Sequence, residues 1–204
     1  MKNILSLFLL LFFTFNNSQG QSKEMNSVMG IPFGSTKVQV KAAMSQKQPG
    51  IKIREEKPNI IIYDKGKFGG RESFSFLFKF TDSGKLHTAI VLLDPIYCSQ
   101  VHELYDGIVS DINGKYYVSD LSIERYKYPY DKSDRENTNV ITGGYATIHT
   151  IWTFDMANTP DNTDDDNAIM IEVTNNCIVK VSYQDGVLID EVVNKQKEQN
   201  SKDY

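Results

Sequence analysis

The chain has 204 residues, with 22 basic and 26 acidic side chains, and 40% of its residues are hydrophobic. This composition is ordinary for a folded protein and excludes the collagen-like, disulfide-dense and wholly disordered classes. The net charge of −4 argues against nucleic-acid binding, because neutralising phosphates requires a clustered basic surface.

The first twenty residues have the pattern of a secretory signal peptide. Lys2 supplies a positive start, and Ile4 to Phe15 form a mostly apolar run of about a dozen residues, too short for a membrane span. Ser18 and Gly20 place small residues at the two selective positions of a signal-peptidase site, which predicts cleavage before Gln21. We expect a secreted or periplasmic mature chain without a membrane span; a retained N-terminal anchor is the alternative.

The two cysteines, Cys98 and Cys177, lie 79 residues apart. In an oxidising compartment they could pair, and such a bridge would stabilise the fold by about 2–4 kcal/mol. Two small buried thiols are the alternative, and the sequence leaves the pairing open.

The first half of the mature chain predicts one helix followed by four extended segments. Thr36 and Gln39 have capping-box spacing at the start of the helix, and Pro49 and Gly50 end it. In the third extended segment every second residue is a phenylalanine, which is the period of a strand and of no helix. These residues are predicted to share the core face of a hairpin: Phe74, Phe76, Phe78 and Phe80.

The second half repeats this order of elements. A helix is predicted to begin after Asp94 and Pro95 and to end at Gly114. Its apolar residues recur at helical intervals: Val101, Leu104, Tyr105, Ile108, Val109 and Ile112. Four more extended segments follow, separated by polar loops at 129–143 and 155–167. The charged segment from Asp190 onward shows no apolar periodicity and is predicted to be a mobile tail.

The order of elements predicts an α+β fold of two tandem units, each a helix packed on a four-stranded antiparallel sheet. We assign residues 1–20 to the signal peptide, 21–93 to the first unit, 94–189 to the second and 190–204 to the tail. No residue-level repeat is visible between the halves.

This order behind a signal peptide resembles the β-lactamase-inhibitor-protein-like fold, in which each unit lays a helical segment against one face of a four-stranded sheet. The segment Ile31-Pro32-Phe33-Gly34-Ser35-Thr36-Lys37 is also similar to the start of many small exported bacterial proteins. The resemblance covers about residues 31–185 and lies in element order and this short opener. It implies protein binding or envelope maintenance rather than catalysis, and it carries over no catalytic residue.

The three histidines are isolated in the sequence and form no zinc or catalytic motif. His102 falls on the polar side of the second predicted helix, and His87 and His149 fall within strands. Each is therefore expected to be a satisfied or solvent-facing structural residue. The sequence predicts no catalytic residue, no metal ligand and no cofactor, although a site assembled in space stays an alternative.

An acidic loop from Asp161 to Asn167 carries oxygen-bearing side chains at alternate positions, and Glu172 stands where an EF-hand loop has its last ligand. However, Asp166 occupies the position at which that loop needs glycine, and the flanking segments are predicted strands. A solvated acidic loop is the favoured interpretation, with weak calcium binding as the alternative.

Five of the eleven tyrosines lie between Tyr116 and Tyr130. In the strand through them, Leu121 and Ile123 share a face that is predicted to be the core side. Strict alternation then places the candidate binding residues on the opposite face: Tyr126, Tyr128 and Tyr130. Either they form an exposed recognition stripe, or a bulge near Glu124 changes the register, or they pack under a neighbouring loop.

Taken together, the sequence predicts an exported, non-catalytic module that binds another envelope or extracellular protein through a sheet face and its adjoining loops. The alternatives are a small secreted hydrolase, with a site assembled from scattered histidines and acids, and a glycan-binding module that uses the tyrosines.

Overall fold

The computed structural model describes residues 24–95, 97–154 and 166–201. The predicted signal peptide and most of the acidic loop lie outside these residues. The helices are α1 Lys37–Lys47, α2 Val101–Lys115, α3 Thr138–Thr142 and α4 Gly186–Asn200. The first strands are β1 Ser27–Val28, β2 Ile31–Pro32, β3 Ile53–Lys57, β4 Ile60–Tyr63, β5 Gly66–Phe68 and β6 Arg71–Ser73. The others are β7 Ser75–Phe80, β8 Leu86–Leu93, β9 Leu121–Tyr126, β10 Ala146–Phe154, β11 Asn167–Val173 and β12 Val179–Gln184.

Eight of the strands form one antiparallel sheet in the order β3-β4-β7-β8-β12-β11-β10-β9. The strands of the first half occupy one side of the sheet and those of the second half the other, and β8 pairs with β12 between them. The predicted α+β class with antiparallel strands is therefore confirmed. All eight strands belong to a single continuous sheet.

One face of the sheet forms the core, and helix α2 packs on it over β11 and β12. Ile108 and Ile112 of α2 are buried there together with Val40 and Met44 of α1. The predicted capping box of α1 is present, since Thr36 accepts from the Gln39 backbone and the Gln39 side chain accepts from the Thr36 backbone.

The prediction that four phenylalanines share the core face is confirmed for three of them. Phe76, Phe78 and Phe80 are buried in β7, whereas Phe74 is 41% exposed. Phe74 sits at a bend between β6 and β7, so the strict alternation that the sequence suggests is interrupted there.

The predicted core side of β9 is wrong. The buried Thr150 of β10 pairs with Ser122, so Ser122, Glu124 and Tyr126 lie on the core face of the sheet. Leu121 and Ile123 lie on the opposite face, and Leu121 is 46% exposed. The predicted alternation of side chains between the two faces of β9 is correct, but at this edge strand of the sheet the polar side chains occupy the core face.

The segment predicted as a mobile tail is helical as far as Asn200. The Asp185 side chain caps this helix by accepting a hydrogen bond of 2.9 Å from the Leu188 backbone. Helix α4 follows β12 directly and contacts β8 and β11, the two neighbours of that strand. Helix α3 likewise forms inside the predicted polar loop 129–143.

A disulfide bond joins Cys98, at the start of the turn that leads into α2, to Cys177 in the connection between β11 and β12. It ties the second helix to the middle of the sheet. Among the residues described, no helix combines the length and the apolar character needed to cross a membrane.

Candidate functional site

The face of the sheet opposite the core carries a line of apolar side chains that crosses seven strands. Each member is the register partner of the next, with Ser182 as the single polar residue in the line. We call the following residues the apolar row: Ile62, Leu77, Ile90, Met170, Ile151 and Leu121. Neighbouring strands lie about 4.8 Å apart, so the row is on the order of 29 Å long.

Burial differs between the two faces of the sheet towards the ends of the apolar row, whereas Ile90 and Ser182 in its middle are buried, at 9% and 2% exposure. On the core face, the residues of the neighbouring row, such as Val91, Val181 and Ile171, are at most 1% exposed. Most members of the apolar row are only half-buried, and its end at Leu121 is exposed. Half-buried apolar side chains in a contiguous line are unusual on a solvent-facing sheet, where polar residues normally alternate with buried ones.

A polar row lies beside the apolar row, one pair of residues further along the strands. It consists of Lys180, Glu172 and His149, which are consecutive register partners. Lys180 and Glu172 form an ion pair of 2.7 Å, in which both side chains are about one-third exposed. Such a pair adds little to stability, but it fixes a charged border beside the apolar side chains.

The three candidate tyrosines do not form one exposed stripe. Tyr126 is half-buried on the core face of β9 and donates a hydrogen bond from its hydroxyl to Glu124. Burial and this carboxylate raise the pKa of Tyr126. Tyr130 is half-buried and its ring packs against Tyr145 with a centroid distance of 5.1 Å. Only Tyr128, at 94% exposure, stands free in the solvent.

A charged cluster holds the connection between β9 and β10 against the core side of the sheet. Arg135 donates to both carboxylate oxygens of Asp106 at 2.8 and 3.0 Å and to Glu124 at 2.9 Å. The hydrogen bond with Asp106 is the main cause that raises the pKa of Arg135. This cluster explains why Glu124 faces the core side. The sequence gives no signal for it, because its members lie on α2, β9 and a loop.

The histidines lie apart from one another, and one differs from expectation. His102 is 2% exposed rather than on a polar helix face, and its ring nitrogens make no hydrogen bond of ordinary geometry to a described residue. Burial is the first cause that lowers its pKa, and Arg135 lowers it further. His87 is buried beside the Thr88 hydroxyl at 2.8 Å, and His149 lies half-exposed in the polar row. No cluster of three or more metal-ligating side chains occurs among the described residues.

The described part of the acidic loop does not have the geometry of an EF-hand. Asn167 is buried on the core face. Its side-chain NH2 group donates a hydrogen bond of 2.6 Å to the Met25 carbonyl, and its side-chain oxygen accepts one of 3.0 Å from the Gly186 backbone N–H. Glu172 lies on the opposite face of the same strand and pairs with Lys180. These two side chains cannot converge on one ion. Residues 161–165 lie outside the described residues.

Comparison of the chain with protein-family models, with curated proteins and with solved structures finds no significant match. The assignment of function therefore depends on the geometry of the molecule alone.

Proposed function

We propose that this chain is an exported, non-catalytic module that binds another envelope or extracellular protein, and that the apolar row is its binding surface. The observation that carries the proposal is the line of apolar side chains on the sheet face opposite the core, which is half-buried or exposed on both sides of its buried middle. The partner is expected to present apolar side chains to this row and charged groups to the ion pair beside it.

The dimensions of the face suit a protein rather than a small molecule. Side chains on one face of a strand repeat about every 7 Å, so three neighbouring rows of about 29 Å offer on the order of 600 Å². A standard protein interface buries about 800 Å² on each partner. The disulfide between Cys98 and Cys177 supports export, because such bonds persist in oxidising compartments.

We further interpret the architecture as two helix-plus-sheet units, residues 21–93 and 94–189, joined edge to edge through β8 and β12. Each half supplies four strands of the sheet in chain order and has a helix before its strands, which supports this interpretation. It is the arrangement that the β-lactamase-inhibitor-protein-like fold implies, and it favours protein binding over catalysis.

Site-specific photocrosslinking in the native cell envelope tests the proposal. A benzophenone side chain is introduced at Leu121 or Ile151 in the apolar row, and at Val38 as the matched control. Val38 is 73% exposed on α1 and is also apolar, but it lies outside the sheet. We expect one and the same protein to be crosslinked from both row positions and not from Val38.

Substitution then measures the contribution of the row. Leu121→Asp combined with Ile151→Thr should weaken binding of the crosslinked partner at least tenfold, because central apolar contacts carry most of the binding energy of an interface. Val38→Asp should leave it unchanged, and circular dichroism should report a folded protein in every case. Equal crosslinking from all three positions would contradict the proposal. Loss of binding on Tyr128→Ala, with the row variants still active, would favour the exposed tyrosine instead.

A further inference from the structure

We propose that the cavity between α2 and the β5–β6 hairpin binds a small aromatic carboxylate. This cavity is separate from the apolar row, since it opens on the core side of the sheet, and it does not depend on the function proposed above. Its volume is about 270 Å³, which is close to the lower limit of about 300 Å³ for small-molecule pockets.

Apolar and aromatic side chains form the inner wall of the cavity. Ile108 and Ile112 of α2 face Phe68 of the hairpin, and Tyr116 and Tyr183 complete the wall. The rings of Phe68 and Tyr183 meet edge to face with a centroid distance of 6.2 Å. Such a wall favours a flat ring of the ligand by burying its apolar surface.

Tyr183 contributes a polar group to this wall. It is 6% exposed on β12, and it lines the cavity. Its hydroxyl can donate a hydrogen bond to an acceptor atom on a molecule bound in the cavity.

The charged side chains of the cavity are mostly basic, although the chain as a whole has a net charge of −4. Lys67, Arg71 and Lys115 line it, and Asp111 is the one acidic side chain among the described lining residues. Arg71 is paired with Asp111. Lys67 lies 3.7 Å from the carboxylate of Glu72.

Lys115 differs from the other two cations. Its ammonium lies over the Tyr116 ring, 4.6 Å from the centroid, and it has no acidic partner among the described residues. A ligand carboxylate could therefore pair with Lys115 without breaking an existing ion pair. Together with the hydroxyl of Tyr183 and the aromatic wall, this favours a ligand that has an anionic group and an aromatic body.

Isothermal titration of the mature chain with indole-3-acetate tests the inference. Tryptamine is the matched control ligand, because it has the same ring and carries an ammonium in place of the carboxylate. We expect saturable binding of indole-3-acetate at submillimolar concentration and none of tryptamine. In an amide-resolved NMR titration, Phe68, Lys115 and Tyr183 should shift, while the residues of the apolar row should not.

Two variants locate the contacts. Lys115→Ala should weaken the binding of indole-3-acetate about tenfold or more, and Tyr183→Phe about fivefold, because each removes one polar partner of the ligand. Lys197→Ala, which removes an exposed lysine of α4, is the matched control and should bind normally. Absence of binding at millimolar concentration, equal binding of tryptamine, or full affinity of Lys115→Ala in a folded protein would each overturn the inference.

Discussion

Single side chains of strand β7 differ sharply in what they contribute to the fold. Phe76 and Phe78 are at most 1% exposed in the middle of the strand, and Phe78 also meets the Tyr63 ring edge to face at 5.9 Å. We expect Phe76→Ala or Phe78→Ala to lower the free energy of unfolding by about 3–5 kcal/mol, since each leaves a cavity in a packed core. Chemical denaturation of the two variants measures this.

The same strand region offers the control. Phe74→Ala deletes an identical ring at a position that is 41% exposed, and we expect a loss well below that of the buried variants. If all three substitutions cost the same free energy, the assignment of Phe74 to a bend outside the core is wrong.

His102 makes stability depend on pH. Burial holds its pKa below the ordinary value of 6.5 in the folded chain, and His87 is shifted in the same direction. The unfolded chain then binds more protons than the folded chain as the pH falls through 6.5. Stability is therefore expected to be complete above this pH and to decline below it.

Thermal melts between about pH 7.5 and about pH 5.5 test this expectation. The melting temperature of the wild type should fall as the pH is lowered across this range. His102→Leu should show a smaller fall, because it removes one of the two histidines whose pKa is lowered in the folded chain. An identical pH dependence in both proteins would show that His102 does not contribute.

At the scale of elements, the disulfide connects parts that are far apart in the chain. It joins the start of α2 to the β11–β12 connection across 79 residues. We expect the double substitution Cys98→Ser and Cys177→Ser to lower the free energy of unfolding by about 2–4 kcal/mol, because the unfolded chain gains conformational entropy. The wild type in the presence of a reductant should melt like the double variant. No change in either measurement would contradict a structural role for the bond.

In the edge strand β9, contacts with neighbouring elements determine which face lies on the core side. Its core face is occupied by Ser122 and Glu124, which contact Thr150 at 3.1 Å and Arg135 at 2.9 Å. Its apolar residues Leu121 and Ile123 continue the open face instead. The connection that follows folds back against the strand, which shields part of a sheet edge that would otherwise be free to pair with another chain.

For the whole molecule, the export prediction has a direct test. The protein recovered from the periplasm or the medium should begin at Gln21, because the small residues Ser18 and Gly20 suit signal peptidase. Intact-mass spectrometry measures this. Gly20→Leu should retain the leader, as a larger side chain at that position blocks cleavage. Recovery of the secreted wild type with Met1 to Gly20 attached would contradict the prediction.

The sequence by itself determined the class of the fold and those local elements whose signals lie close together in the chain. The capping residues of α1, the helical period of α2 and the two-residue period of β7 depend on side chains that are close in the chain, and these patterns form as predicted. The ends differ, because α2 begins at Val101 and not directly after Asp94 and Pro95, and the alternation of β7 does not include Phe74. Helix α4 was not predicted, because the charged second half of the segment obscures the cap Asp185 and the apolar residues between Val187 and Val193, which are themselves interrupted by Asp190 and Glu191. Helix α3 is a single short element inside a polar segment, where no periodicity can develop.

The tertiary structure decided which face of each strand is buried and which distant side chains meet. Alternation divides a strand into two faces but does not indicate which of them a helix will cover. At β9, Arg135 from the following loop binds Glu124, and the face that carries Glu124 is the core face, contrary to the prediction. The apolar row, the cavity at Tyr183 and the buried His102 all assemble residues from separate elements. Such contacts depend on strand order and helix placement, which local periodicity does not encode.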